Sequence, residues 1–290
     1  MQEPAQPAPV PRTWKVTLAY DGTDFFGWQV QPHKPTIQGE LQAALGRVTG
    51  ESPLPQGSGR TDAGVHALAQ VASFPLLAPI PAENLRRALN RTLPASIRIS
   101  EAATVRSCFH ARHSARAKTY EYRVLPAVEC PPFLARYVYA FPRRLDFAAL
   151  DASARVFVGE HDFASFAATD PDLTARAAEA SAEAHADCPG ATVRTIFASA
   201  WQRRNCQGGE LWVYRVRGAG FLHHMVRNLV GTMIDVGRGL LRVEDLAAIL
   251  AARSRPLAGP TAPARGLFLH SVEYDRSMEC DPTIASPDSE

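Results

Sequence analysis

The stretch GSGRTDAGVHALAQ (57–70) places Arg60 and Asp62 two positions apart within a run of small residues. Glycine and alanine neighbours add little bulk, so this part of the chain can approach another segment closely. The residues that follow, AQVASF (69–74), have the composition and spacing of a strand. The stretch therefore predicts a tight loop that leads into a sheet and carries two opposite charges.

Asp62 has three interpretations. As a surface turn residue it needs no further explanation. As half of an aspartic-protease pair it would need a D-[TS]-G motif, which the chain lacks. As a single nucleophilic carboxylate it needs an arginine to keep it ionised and a pocket that excludes water, and Arg60 and Arg227 are available. The first and third interpretations stay open on the residues alone.

The rest of the chain mixes strands and helices without a regular βαβ alternation, which favours an α+β fold with antiparallel sheets. Apolar alternation predicts strands at 14–20, 69–74, 119–125, 211–217 and 267–274. Helical spacing predicts helices at 36–48 with Thr36 as N-cap, at 82–93, at 146–158, at 221–237 with Gly237 as the stop, and at 243–253.

Composition excludes several classes of protein. Of the 290 residues 46% are hydrophobic and 21% charged, as in a globular protein. The sequence contains no run of 18 apolar residues, so no membrane span is predicted. The N-terminal residues also lack the apolar core that a signal peptide has. Five cysteines, an odd number, suggest a reducing cytoplasm.

The sequence also gives no support for a metal or a nucleotide cofactor. No CxxC pair is present, and His223 and His224 are adjacent in the predicted helix, so they should point about 100° apart. The glycine loop has neither the GxxxxGK nor the GxGxxG spacing. We expect no metal and no cofactor.

Charge is distributed unevenly along the chain. The net charge is +2, but residues 84–123 hold nine Arg and Lys against two Glu, which gives +7. Residues 160–190 hold seven acids against one arginine, which gives −6. The basic segment points to a polyanion as partner, most simply a nucleic acid.

Two further residues have a structural and a functional interpretation. Arg227 lies in a predicted helix that is apolar almost all round, so its guanidinium needs a carboxylate or phosphate partner, for which Asp62 is a candidate. Alternatively it reaches the surface or caps a carbonyl. Tyr120 is either a core residue of its strand or a ring that stacks on a base.

Six motifs together resemble the tRNA pseudouridine synthase A family, also called tRNA pseudouridine synthase I. In chain order they are YDGTDFFGWQ (20–29), GRTDAGVHA (59–67), FHARHSARAKTYEYRV (109–124), GEHDFASF (159–166), GAGFLHHMVRNLVGTMIDVGRG (218–239) and GLFLHSVEY (266–274). They stand in the family's order and span roughly residues 14–275.

The resemblance implies an enzyme that isomerises uridine to pseudouridine at positions 38, 39 and 40 of the tRNA anticodon stem-loop. It implies no cofactor or metal, a cytoplasmic homodimer whose two subunits both line the RNA cleft, and two α+β halves whose antiparallel sheets join beside an active-site cleft. The halves would be 13–113, with the catalytic loop, and 114–276, with tails at 1–12 and 277–290.

The resemblance also assigns roles to residues. Asp62 matches the catalytic aspartate, Tyr120 the tyrosine that stacks at the target base, and Arg227 the basic residue paired with the aspartate. Arg60 matches a loop arginine that contacts RNA. The run Phe109, His110, Ala111, Arg112 and His113 matches part of the tRNA contact.

The chain departs from the family pattern at 169–191, an acidic insertion that would repel phosphate if it lay against RNA. A non-catalytic RNA-binding module on the same scaffold is the alternative from another functional class. A hydrolytic RNA enzyme is disfavoured by the absence of a metal-ligand cluster in the sequence.

Overall fold

A computed structural model describes residues 10–168, 192–206 and 209–279 of the protein. The predicted acidic insertion at 169–191 lies outside the described residues. Among these residues there is no helix of the length and apolarity that a membrane crossing requires.

The described residues form two compact units. The first comprises 10–116 and 271–279, and the second comprises the described residues between 117 and 270. In chain order the elements are β1 (Arg12–Tyr20), α1 (Ile37–Thr49), β2 (Gln56–Gly57), β3 (His66–Leu76), α2 (Ala82–Thr92), β4 (Ile97–Val105), β5 (Ala115–Leu125), β6 (Tyr139–Ala140), α3 (Phe147–Val156), β7 (Gly159–Asp162), β8 (Val193–Cys206), β9 (Gly209–Gly218), α4 (Met225–Gly237), α5 (Asp245–Ala252), β10 (Leu267–Tyr274) and α6 (Arg276–Glu279).

In the first unit β1 lies between β4 and β3, and both pairs are antiparallel. Alternate β1 residues from Trp14 to Tyr20 are buried, as their spacing predicts. Helix α1 begins at the predicted cap, where Thr36 Oγ1 accepts a hydrogen bond from the Gly39 amide at 3.3 Å. Helix α2 buries Leu85 and Leu89. Helices and antiparallel strands together confirm the predicted α+β class.

In the second unit the strand order is β5–β9–β8–β7, with antiparallel neighbours. The short β6 pairs with β5 in parallel, so the sheet is mixed. Trp201 on β8 donates its indole N–H to Met233 Sδ of α4 at 3.3 Å, within the core of this unit. The 14-residue β8 was not predicted, because apolar and polar residues alternate only irregularly along it and its pairing with β9 sets its conformation.

Helix α4 corrects two sequence expectations. The helix begins at Met225 rather than at 221, because His224 takes a left-handed φ of 58° that the helix cannot continue through. The rings of His223 and His224 therefore lie 3.9 Å apart instead of diverging. The helix ends at Gly237, as predicted, with Arg238 as its C-cap; a Cβ on Gly237 would lie 3.0 Å from Leu150 Cγ of α3.

Helix α4 also meets the segment 259–262 at a distance that only glycine permits. A Cβ on Gly231 would lie 1.6 Å from the Pro260 carbonyl oxygen, and one on Gly259 would lie 2.7 Å from Thr232 Cα. The Gly259 amide donates to Thr232 Oγ1 at 2.9 Å, and the Ala262 amide donates to the Arg227 carbonyl at 3.1 Å. The segment is therefore hydrogen-bonded directly to the helix backbone.

Substitution of Gly231 by alanine should destabilise the protein by about 3 kcal/mol, since a backbone carbonyl must move to admit the methyl group. Urea unfolding followed by circular dichroism measures the loss. Gly220→Ala is the matched control, because its Cβ would meet only the Arg194 side chain at 3.7 Å. Equal urea midpoints for the two variants would show that the 259–262 segment can move to admit the methyl group without loss of stability.

Candidate functional site

The loop between β2 and β3 carries Arg60 and Asp62, and it is anchored where it leaves β2. Ser58, fully buried, donates from its hydroxyl to Gln70 Oε1 at 2.6 Å. Its amide donates to the Val71 carbonyl at 2.8 Å, and Gln70 Nε2 donates to the Gly59 carbonyl at 2.9 Å. The first residues of the loop are therefore tied to β3.

A buried hydrogen bond holds the loop next to the aspartate. Tyr20, the last residue of β1, places its hydroxyl 2.8 Å from Thr61 Oγ1. Burial raises the pKa of Tyr20 to about 12, although hydrogen bonds to Thr61 and Gln70 lower it in part. The phenol therefore stays protonated through the neutral range and remains available for this bond.

The segment 22–28 lies against the other side of the loop backbone. Gly27 has a φ of 88°, and a Cβ there would lie 2.5 Å from the Thr61 carbonyl oxygen and 3.1 Å from the Asp62 carbonyl carbon. The Trp28 amide donates to the Thr61 carbonyl at 3.0 Å. A side chain at position 27 would displace the loop, so this glycine is required for the approach.

The charged residues of the loop differ in exposure. Asp62 is half-buried, and its carbonyl accepts the Val65 amide at 3.1 Å in a tight turn. Arg60 is exposed. The turn fixes the backbone that follows the carboxylate, whereas the Arg60 side chain is exposed. This arrangement suits a carboxylate held in place for chemistry and an arginine that meets a ligand.

The predicted RNA-contact run 109–113 forms a turn in the same unit. Phe109 and Ala111 are buried, and the Phe109 ring lies 5.0 Å from the Tyr274 ring. Arg112 and His113 are exposed. His110 Nδ1 accepts the Arg112 amide at 3.1 Å. Burial, followed by the charges of His113 and Arg112, lowers the pKa of His110.

In the second unit Tyr120 and Arg227 lie on different elements. Tyr120 on β5 is 8% exposed, and its ring makes an edge contact with Phe221 at 5.0 Å between centroids. Arg227 on α4 is half-buried, and its Nε donates to the Ala262 carbonyl at 2.8 Å. One nitrogen of the Arg227 guanidinium therefore holds a backbone carbonyl.

Glu121 was not singled out in the sequence, yet it is 1% exposed and contacts three guanidinium groups. Its oxygens lie 2.8 Å from Arg123 Nε, 2.9 Å from Arg215 Nη2 and 3.5 Å from Arg204 Nη1. Burial opposes ionisation, but the hydrogen bonds from Arg123 and Arg215, together with the charges of Arg123 and Arg204, outweigh it and lower the pKa of Glu121. The available signal was that Glu121 is one of only two acids in the basic segment 84–123.

The residues that support the loop around Asp62 were also missed as a group. They are Tyr20, Gly27, Ser58, Thr61 and Gln70. Small and aromatic residues in YDGTDFFGWQ were the signal for a close contact, but the sequence could not say which segment they would meet.

The sequence is similar to proteins of one family over most of its length. The family model described as tRNA pseudouridine synthase matches residues 17–114 and 153–275. A protein of Solibacter usitatus named tRNA pseudouridine synthase A is 52% identical over 263 residues, which cover 91% of this chain and 100% of the relative. Proteins with the same name from Moorella thermoacetica and Lacticaseibacillus casei are 45% and 42% identical, over 90% of this chain and 98% and 99% of their own lengths. This chain belongs to the tRNA pseudouridine synthase family.

Proposed function

We propose that this protein isomerises uridine to pseudouridine at positions 38, 39 and 40 of the tRNA anticodon stem-loop, with Asp62 as its catalytic carboxylate. The observation that carries the proposal is that the loop around Asp62 is held in place. Ser58 is hydrogen-bonded to Gln70 at the start of the loop, and Thr61 is hydrogen-bonded to Tyr20 next to the aspartate. Relatives at 52% and 45% identity bear the name tRNA pseudouridine synthase A.

The reaction exchanges one bond to the sugar for another. The C1′–N1 bond of uridine breaks, the uracil turns while it is held, and a C1′–C5 bond forms. C5 then loses its proton and N1 gains one, so the product is an isomer and no co-reactant is consumed. A carboxylate can attack C1′ or C6, or can remove a proton from C2′, and each route needs an ionised Asp62.

Three side chains carry the chemistry in this proposal. Asp62 supplies the carboxylate, Tyr120 stacks at the target base and takes part in removing the C5 proton, and Arg227 supplies positive charge that favours the ionised aspartate. These roles follow from the motifs that each residue shares with the family. A phenol and a guanidinium supply the stacking and the charge that the reaction needs.

Arg60 and the turn at 109–113 serve RNA binding in this proposal. The target nucleotide must leave its stack, which costs a few kcal/mol. Arg60 is exposed and stands two residues before Asp62 in the same loop, so it can contact the opened strand. Arg112 and His113 are exposed and can meet phosphates, whereas Phe109 and Ala111 act by holding the turn in the core.

Asp62→Asn should abolish pseudouridine formation and leave tRNA affinity within a few-fold, because the amide keeps the shape and loses the charge. Purified protein is incubated with unmodified tRNA transcripts without added metal or cofactor, and pseudouridine is mapped by carbodiimide labelling and primer extension. Asp245→Asn, at a half-buried acid in the first turn of α5, is the control and should retain activity.

Retention of activity by Asp62→Asn would refute the assignment of the carboxylate. Binding of tRNA without pseudouridine from the wild-type protein would instead favour the non-catalytic RNA-binding module. Pseudouridine only at other positions of the tRNA would support the proposed reaction but refute positions 38–40 as its targets.

Arg227→Ala should lose activity and lower the melting temperature by several degrees, because Nε no longer holds the Ala262 carbonyl. Arg238→Ala is the matched control, since Arg238 contacts Asp235 near the same helix and has no proposed role in the reaction. Pseudouridine mapping and thermal unfolding are measured on both. A fully active and equally stable Arg227→Ala protein would contradict the role given to this residue.

The resemblance further leads us to propose a homodimer that works in the cytoplasm. The chain mass is 31.5 kDa. Light scattering after size exclusion should therefore report twice the chain mass, at protein concentrations from below to well above micromolar. A single-chain mass over that whole range would rule out a stable dimer.

A further inference from the structure

An exposed aromatic ring lies in the segment that supports the Asp62 loop. Phe26 is 46% exposed, whereas Phe25 and Trp28 on either side are 8% and 3% exposed. A single exposed apolar residue is ordinary on a protein surface. Two features distinguish Phe26: it lies next to the Asp62 loop, and the Lys34 ammonium lies over its ring.

Phe26 is one residue away from the backbone contact with the aspartate. A Cβ on Gly27 would lie 3.1 Å from the Asp62 carbonyl carbon. Since consecutive Cα atoms are about 3.8 Å apart, Phe26 Cα lies within roughly 9 Å of that carbon. A nucleotide that neighbours a target held at Asp62 can therefore come within reach of residue 26.

The backbone of Phe26 is fixed on both sides. Its amide donates to the Pro35 carbonyl at 2.9 Å, and its carbonyl accepts from Gln31 Nε2 at 3.0 Å. The Phe25 carbonyl accepts the Gly64 amide from the Asp62 loop at 3.3 Å. The ring is thus presented from a braced position, which limits the entropy lost when it contacts a ligand.

A lysine accompanies the ring. Lys34 Nζ lies 4.9 Å from the Phe26 ring centroid, and the Lys34 side chain is exposed. Within the described ranges Lys34 makes no ion pair. A flat apolar surface and an exposed ammonium therefore lie together in the same unit as Asp62.

We propose that Phe26 and Lys34 form a nucleotide-contact site for the RNA strand next to the target uridine. The ring stacks against a nucleobase, and the ammonium leaves the ring to meet a phosphate oxygen of the same strand. Stacking on an aromatic side chain is the usual way proteins hold an unstacked base, and lysine binds phosphate as a point charge. This site rests on the proposed function, because Asp62 defines where the target nucleotide goes.

Phe26→Ala should weaken binding of unmodified tRNA roughly tenfold, as loss of one base–aromatic stack does. Phe26→Tyr keeps the ring and should bind within twofold of wild type. Lys34→Gln should lower the slope of log affinity against log salt by about 0.7 to 0.9, the value for one phosphate contact. Leu77→Ala, at a residue 49% exposed in the same unit, is the control for loss of exposed apolar surface and should change neither.

Affinity is measured by fluorescence anisotropy with labelled tRNA at several salt concentrations, both in the wild-type background and with Asp62→Asn. Because binding is read without turnover, failure of the catalytic assignment does not obscure it. If Phe26→Ala binds within twofold of wild type, the stacking site is refuted. If Phe26→Ala and Lys34→Gln lower the melting temperature but leave affinity and salt slope unchanged, the pair is a loop brace only, which also refutes it.

Discussion

The close approach of residue 27 to the backbone at 61–62 is the constraint on which the Asp62 loop depends. With a side chain at Gly27, a carbon atom would lie 2.5 Å from the Thr61 carbonyl oxygen, so the two segments could not meet. Position 22 must also be glycine, since a Cβ there would lie 2.0 Å from the Val65 carbonyl oxygen. The loop conformation is thus imposed by a second segment more than thirty residues earlier in the chain.

That second segment is in turn held by helix α1. The Ile37 amide donates to the Gly27 carbonyl at 3.2 Å, and the Gln38 amide donates to the Trp28 carbonyl at 2.9 Å. The Gln38 side chain donates to the Pro55 carbonyl at 2.8 Å and accepts the Val30 amide at 2.9 Å. The free amides at the start of a helix, which need partners elsewhere, here fix the support of the loop. Burial of Leu41 and Leu45 on α1 therefore contributes to the position of Asp62.

The sequence predicted the elements whose periodicity is local. Strand β10 was expected at 267–274 and is found at Leu267–Tyr274, and the cap of α1 at Thr36 is confirmed. Features that depend on distant contacts were not predictable in this way. The position of Gly237 next to Leu150, and the pairing that makes β8 a strand, arise from residues far apart in the chain. The same holds for the candidate site. Asp62 could be predicted from a sequence motif, whereas the roles of Tyr20 and Gly27 depend on their contacts with Thr61 and could not.

The basic segment shows why charge counted along a chain overstates charge available to a ligand. Glu83 lies one residue before the window 84–123, so including it changes nine bases against two acids to nine against three, or +6. Hydrogen bonds from Arg86 and Arg87 lower the pKa of Glu83 to about 2, so this acid is ionised at neutral pH and offsets one of their two positive charges.

Other arginines of the segment are also paired, Arg123 with the buried Glu121 and Arg116 with Asp275. Arg91, Arg106 and Arg112 are exposed and make no ion pair within the part of the chain that the structure describes. Attraction for a polyanion in this segment therefore rests on fewer groups than the composition suggests. Since the paired arginines have already lost part of their field to a carboxylate, the unpaired ones should dominate the salt dependence of RNA binding.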